Sequence, residues 1–441
     1  MATAKFTRRT FLRTSAGLWA ISRGKDCWSV ASAPSKVRRF DFREYRRGEM
    51  LGPVVCVTPD DGFYVHTYYD VCPFSPSQRY LAATRIPFQD RAPRLGDTAD
   101  ICVIDIVDRT IRCVYTTKCW GFQTGANLHW GATDRRLYTN DVVDGRAVCV
   151  RLDLRSGQAA AFAGPAYDVA PNESCAIGFP LELMDASQPG YGVPAKDPKN
   201  PARLPLGAAR DEGLWKTDLK TNTRTLLVSL ADLAQRVPEP PPKAGGTYYL
   251  WHAKFNRQGT RIMQVFRCLF PDGWGGRNAM AFTLKPDGSD IHLTPSIPLW
   301  GHKGGHPNWH PDGKHLIRNL RPDGKTDRLC KLPYDGSGFT VLSETIDGGG
   351  HPTIEPSERY IVTDAYPKQT STAIVRIRLI DLVDEKDMTV CMMPTVRQVG
   401  GDTVMRVDGH PAWSRDFKKV LFQGTPDGRR QLFVADLSQV V

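Results

Sequence analysis

The sequence predicts an all-β fold, a seven-bladed β-propeller whose last blade is closed by an N-terminal strand. Three observations carry that expectation. Pro-Asp-Gly hairpin turns recur along the chain, at 271–273, 286–288, 311–313, 322–324 and 426–428, with a relative, PDDG, at 59–62. A strand, an Asp/Gly-rich turn and a second strand recur seven times. A hairpin of common form stands before most of these units.

The seven units are ICVIDIVDRTIRCVY (101–115), AVCVRLDLRSGQAAAF (147–162), LWKTDLKTNTRTLLV (214–228), AMAFTLKPDGSDIHL (279–293), DRLCKLPYDGSGFTVL (327–342), IVRIRLIDLVDEKDMTV (374–390) and QLFVADL (431–437). Alternation of apolar and polar residues marks each arm as a half-buried strand. The preceding hairpins are clearest at HAKFNRQGTRIMQVFR (252–267), HPNWHPDGKHLIRNL (306–320), HPTIEPSERYIVTDAY (351–366) and HPAWSRDFKKVLFQG (410–424). Weaker copies lie at 71–85 and 127–141, and the stretch from Asn172 fills the third place poorly. Units of four strands at this spacing are blades. The seventh stops after three strands, and LGPVVCV (51–57) is a spare strand at the other end that completes it. The Pro/Gly-rich stretch 186–206 is an insertion between strands. The propeller therefore occupies 51–441, preceded by a signal segment (1–33) and a basic linker (34–50).

Charge and composition sharpen this. The chain has 441 residues, a net charge of +11 and 10% aromatic residues. That composition suits a packed core and excludes wholesale disorder. No apolar run reaches the roughly 18 residues of a membrane helix, so membrane insertion is not expected. Residues 1–47 hold twelve Lys/Arg against three acids and so carry +9 of the total. The near-neutral body argues against a nucleic-acid partner. The start, TRRTFLR (7–13) followed by a weakly apolar stretch and Ala31-Ser32-Ala33, resembles a twin-arginine export signal and implies a periplasmic or secreted protein. Arg23, Lys25 and Asp26 interrupt its apolar region. The eleven cysteines are odd in number, contain no C-x-x-C pair and mostly sit in strand-like runs, so they read as buried thiols.

In a propeller the start of the first strand and the end of the second share one rim. First-strand starts supply Asn127/His129, His252, His306, His351 and His410. Second-strand ends supply Arg85, Asn140/Asn319, Asp141, Arg267, Arg321, Asp364 and Gln423. Four of the ten histidines thus share a register in consecutive blades. Two readings stand side by side. Neutral imidazoles from adjacent inner strands suit a divalent ion, Mn or Zn foremost. Alternatively, a histidine in each repeat bonds the backbone of the neighbouring blade, with no ion. His302 joins the candidates; His66, Tyr68 and Tyr69, in HTYYDVCPFSP, reach the same face or pack its rim.

At these residues the chain resembles the oligogalacturonate lyase family and the related seven-bladed ulvan lyases. The resemblance spans about 50–441 and rests on HTYYDVCPFSPSQRYL, HPNWHPDGKHL and HPAWSRDFKKVLF. It implies cleavage of an anionic, uronate-containing carbohydrate by β-elimination. That reaction needs a cation on the C5 carboxylate, a base for the C5 proton and an acid for the leaving oxygen. The resemblance implies His252 as base, Arg267 on the carboxylate, His129 and a tyrosine of the Tyr248/Tyr249 pair in the proton transfers, and His306, His351 and His410 as metal ligands. Asn140, Asn319, Arg321 and Tyr69 complete the expected substrate contacts. The family's closely spaced Gln and two His are not reproduced, since VMRVDGHPAW holds only His410. A non-catalytic TolB-like propeller that binds a peptide or glycan is the competing reading. A propeller peptidase is excluded by the lack of a G-x-S-x-G motif.

Overall fold

A computed structural model describes residues 28–31, 36–194, 206–238, 245–270, 280–295, 304–367 and 373–441. Among these, seven antiparallel sheets form the blades. In six of them four strands follow one another as a meander in chain order, as in the first blade, Phe63–Val65, Tyr80–Ile86, Ala99–Asp105 and Thr110–Thr117. The fourth is Thr247–Phe255, Ile262–Leu269, Met280–Leu284 and His292–Thr294.

The seventh blade alone breaks chain order. Ala412–Trp413, Lys419–Gly424 and Gln431–Asp436 come from the C-terminus, and Val54–Cys56 adds the fourth strand through Phe433↔Cys56, Val434↔Val55 and Ala435↔Val54. Joining the two ends in one sheet closes the ring.

The basic N-terminal stretch does more than link. Arg43–Tyr45 adds a fifth strand to the seventh blade, Arg38–Arg39 pairs with Thr110–Ile111 of the first, and Trp28–Ala31 pairs with Gln158–Ala161 of the second. Its arginines meet acids of the body, Arg38 with Asp61 at 2.6 Å and Arg43 with Asp60 at 2.7 Å. Exposed pairs of this kind contribute about 0–1 kcal/mol each.

The third blade explains its poor motif. Its inner strands are short, Asp168–Val169 and Cys175–Gly178, and a helix, Leu181–Ser187, follows the second before Gly213–Asp218 continues the sheet. The expected insertion at 186–206 begins within this helix; residues 195–205, like residues 1–27 of the expected signal segment, lie outside the described set.

The recurring tryptophan has a structural task. Trp130, Trp309 and Trp413 each donate the indole N–H to a backbone carbonyl of the preceding blade: Pro73 at 2.9 Å, Lys254 at 2.9 Å and Thr353 at 3.1 Å. A large apolar body with one polar tip seals the gap between blades and satisfies a buried carbonyl at once. Eight of the ten described cysteines are buried, as the sequence implied.

Candidate active site

The histidine register is a backbone feature. Asn127, His252, His306 and His410 all adopt left-handed conformations, with φ of 55°, 55°, 53° and 45°. Non-glycine residues seldom do so, and strain repeated at one register marks a position the fold exploits. At His252 the strand pairing skips a residue, between Trp251 and Ala253, and at His306 it skips between Gly305 and Asn308. In the sixth blade Gly350 takes the left-handed turn (φ 65°) just before His351. The result is one imidazole per blade in the same channel mouth.

The four rings converge. Centroids of His306 and His351 lie 4.2 Å apart, and those of His351 and His410 4.4 Å. Tyr68 stands among them, 4.4 Å from His410, 4.8 Å from His252 and 5.6 Å from His351. Tyr69 faces His351 at 5.1 Å. The segment carrying His66, Tyr68 and Tyr69 therefore enters the channel itself, deeper than the rim. His66 is wholly buried, with its ring 6.4 Å from that of His410.

The imidazoles bond side chains. His252 Nδ1 meets the Tyr167 hydroxyl at 3.0 Å, His351 Nδ1 meets the Asp364 carboxylate at 2.8 Å, and His410 Nδ1 meets Gln423 Nε2 at 3.3 Å. The blade-to-blade backbone role falls instead to asparagines. Asn140 donates to the Ala166 carbonyl and accepts from its N–H, both at 2.8 Å. Asn319 clamps Gly350 and Gly349 in the same way, and Asn127 donates to Ala166 and Tyr167. Among the described residues, the backbone-clamp explanation of the histidines is therefore not supported. The buried Nε2 atoms of His252 and His410 accept or donate no hydrogen bond among the described residues, and that of His410 lies 3.8 Å from Asp408 Oδ2.

Burial shapes the charge. It holds His252, His306 and His410 well below the ordinary imidazole pKa, and the neighbouring cations and imidazoles act in the same direction, so these rings are neutral. Burial alone would raise Asp364, yet the His351 imidazole beside it brings its pKa below the usual carboxylate range. Asp408 is driven down more strongly by Arg406, His410 and Arg397 against the same burial. Tyr68 and Tyr69 are pushed well above ten by burial and remain phenols.

Arg267 is the cation at this mouth. It is 6% exposed, stacks its guanidinium 3.9 Å over the Trp251 ring, and donates from Nη1 to Gln188 Oε1 at 3.0 Å. Among the described residues it has no carboxylate partner. Tyr249, paired with Arg267 across the strands, also reaches Gln188 Oε1, at 3.4 Å.

The chain has no match among family models or among curated proteins. Solved structures do match. An oligogalacturonate lyase from Vibrio parahaemolyticus aligns at TM-score 0.67 and 14% identity, over 92% of this chain and 98% of that one. A second oligogalacturonate lyase, in complex with manganese, aligns at 0.65 and 17%, over 92% and 98%. The fold is that of the oligogalacturonate lyases. TolB from Acinetobacter baumannii matches at a TM-score of only 0.38, with 12% identity over 83% of this chain and 80% of that one.

On this oligogalacturonate lyase fold, the expected residues divide. His252, Arg267, Tyr249, His306, His351 and His410 share one mouth. His129 does not: it lies two residues past Asn127 on its strand, 3.3 Å from Asp168 Oδ1 through Nδ1, and lines the cavity at the opposite end of the channel. A step of two along a first strand moves a side chain down the channel while keeping it inward. Asn140 and Asn319 spend both ends of their amides on backbone. Arg321 is paired with Asp327 at 2.7 Å, and Tyr69 donates to the Pro307 carbonyl at 3.2 Å. His302 lies outside the described residues.

Whether the histidines suit a metal can be tested on their donors. His351 donates Nδ1–H to Asp364, which orients Nε2 away from it, and His410 Nε2 is buried without a hydrogen bond among the described residues. A carboxylate behind a ligating histidine is the usual support of a metal site. These residues fit a divalent ion. The described residues contain one set of three His/Asp/Glu donors already within 4.8 Å of each other, His310, Asp312 and Glu358. Those groups are spoken for: Lys331 sits 2.8 Å from Glu358, and His315 2.6 Å from Asp312.

Sequence reasoning assigned no role to Tyr167, Gln188, Asp408 or Tyr191, whose ring lies 6.0 Å from that of Tyr68 and whose hydroxyl accepts from Arg406 at 3.1 Å. Tyr167 stands in the blade with the weakest motif, and Gln188 and Tyr191 stand in the insertion. Asp408 had a visible signal, two residues before His410 in VMRVDGHPAW.

Proposed function

We propose that this chain is a polysaccharide lyase that cleaves a uronate-containing poly- or oligosaccharide by β-elimination, with a divalent ion, manganese or zinc, held by His306, His351 and His410. One observation carries the reading. The Arg267 guanidinium is nearly buried, donates to the neutral amide of Gln188 and has no carboxylate partner among the described residues. A buried cation without a counter-charge costs several kcal/mol, and an incoming carboxylate removes that cost. The oligogalacturonate lyase fold, and the manganese in one of its solved members, support the same reading.

The residues divide the work as follows. Arg267 takes the C5 carboxylate on its planar fork, which neutralises the charge and acidifies the adjacent C–H. With Nδ1–H donated to the Tyr167 oxygen, His252 carries its lone pair on Nε2, the atom that lacks a partner, and accepts the C5 proton there. The C4–O bond breaks, its electron pair leaves with the oxygen, and the C–H electrons form the C4–C5 double bond. The Tyr249 phenol, kept protonated by burial, stands beside Arg267 to protonate the leaving oxygen. A divalent ion on the three histidines supplies further positive charge for the carboxylate.

The test is release of unsaturated uronate, read by ultraviolet absorbance across a panel of uronic-acid polysaccharides, with and without a chelator. His252→Ala and Arg267→Ala are expected to abolish release from the active substrate. Full activity in both variants overturns the reading, and a metal-free protein inactive on every polymer favours the glycan- or peptide-binding alternative.

We also propose export through the twin-arginine pair. Replacing Arg8 and Arg9 by lysine is expected to retain the protein in the cytoplasm, and unchanged export sinks this.

A further inference from the structure

The channel has a second mouth. Past Tyr69 it opens into a cavity of about 530 Å³, where the first strands end. Its lining is chemically distinct from the histidine mouth. Three adjacent blades each place an ionisable side chain on the floor: His129, Asp168 and Lys254. The channel segment adds Asp70.

These floor groups are buried and only partly satisfied. Lys254 is 4% exposed, with Nζ 3.4 Å from Asp70 Oδ1. Asp70 has no partner at hydrogen-bond geometry on either oxygen. Asp168 accepts the Phe255 N–H at 2.8 Å and faces His129 Nδ1 at 3.3 Å. That leaves His129 Nε2, buried and without a partner, as a lone-pair acceptor. A void with polar walls and unspent acceptors is built for hydroxyl groups.

The rim is cationic. Arg257 and Arg415 are exposed and line the same cavity. Arg257 lies 4.8 Å over the Phe417 ring. Arg415 donates from Nε to the Phe74 and Ser75 carbonyls, both at 3.0 Å. Among the described residues neither has a carboxylate partner. Other guanidiniums among the described residues do have one, as in Arg79 with Asp105 and Arg359 with Asp381.

We propose that this mouth is a second ligand site, for a hydroxylated oxyanion of sugar size, that is a sugar acid or a sugar phosphate. The rim guanidiniums hold the anionic group as a paired fork. The floor acceptors, His129 Nε2 and Asp70, take the hydroxyls. The site is separated from the histidine mouth by Tyr68 and Tyr69, and it does not depend on the lyase reading.

Calorimetric titration of the full chain with glucuronate, glucose 6-phosphate and neutral glucose tests this. Either anion is expected to bind at least tenfold more tightly than glucose, and which one does so distinguishes the acid from the phosphate. The double variant Arg257→Gln/Arg415→Gln is expected to weaken that binding at least tenfold. His129→Phe is expected to weaken it as well, and the binding that depends on the rim arginines is expected to persist in Arg267→Gln, which removes the uronate contact proposed at the histidine mouth. Both rim arginines are exposed, and equal thermal midpoints of the double variant and the parent confirm that its fold is intact. Failure of both anions to bind, or binding that Arg267→Gln abolishes and the rim variant leaves intact, overturns the inference.

Discussion

Arg267 Nη1 and Gln188 Oε1 stand 3.0 Å apart, so a neutral amide oxygen from the third-blade insertion occupies the place where the guanidinium would receive a carboxylate. Two substitutions follow. Gln188→Ala removes the competitor and is expected to lower KM for a uronate substrate by a few-fold with kcat unchanged. Gln188→Glu installs a permanent carboxylate and is expected to raise KM at least tenfold. Steady-state kinetics on the active substrate read both.

Arg267 itself separates activity from stability. Removal of a preorganised charge aimed at a developing anion costs on the order of 10²–10³ in kcat. Yet among the described residues the guanidinium has no carboxylate partner, so Arg267→Met is expected to keep or raise the thermal midpoint. A variant both inactive and strongly destabilised would show that Arg267 is structural.

Asp364 orients His351 and also accepts the backbone N–H groups of His351 and His410. Asp364→Asn keeps the shape but removes the charge behind the imidazole. Manganese affinity is expected to fall roughly 10–100-fold, as for other residues that support a ligand, measured by competition with a chromophoric chelator.

The tryptophan clamps test the ring. Trp309→Ala leaves a cavity between the fourth and fifth blades and is expected to cost about 3–5 kcal/mol in urea unfolding. Trp309→Phe forfeits chiefly the indole bond to Lys254, and about 1–3 kcal/mol is expected.

Asp168 sets a pH dependence. Burial pushes its pKa up to about 6 from 3.8, against the pull of Lys254 and the Phe255 and Val169 N–H groups; Asp70 adds to the rise, and His129 faces it. The folded state thus holds this proton where the unfolded chain has lost it. Its contribution to stability falls as pH rises from about 4 to about 6 and is flat above. Asp168→Asn is expected to remove that slope from the urea midpoint, and an unchanged slope would assign it elsewhere.

The propeller was legible because its signals are local and repeated. Pro-Asp-Gly turns, alternating strands and the H-P-x-W stretch each report on a few neighbouring residues, and seven copies reinforce one another. Ring closure by Val54–Cys56 was legible by counting, since one blade lacked a strand and one strand lacked a blade. The third blade hid because its inner strands are short and its motif residues absent. The outer strands at 38–39 and 43–45 hid because short, arginine-rich edges carry no alternation, and Trp28–Ala31 hid because four residues are too few to show a period.

For the site, residue type and register in the sequence were enough to bring His252, His306, His351 and His410 to one mouth, because a repeated backbone places equivalent residues equivalently. The tertiary structure alone decided what each polar group has left to offer. Asn140 and Asn319 share the rim, yet hydrogen bonds to the next blade consume them. His129 lies two residues along a strand, and that step carries it to the other mouth. Gln188 reaches Arg267 from an insertion with no motif at all. Hydrogen-bond satisfaction and burial depend on neighbours distant in the chain, and no local pattern records them.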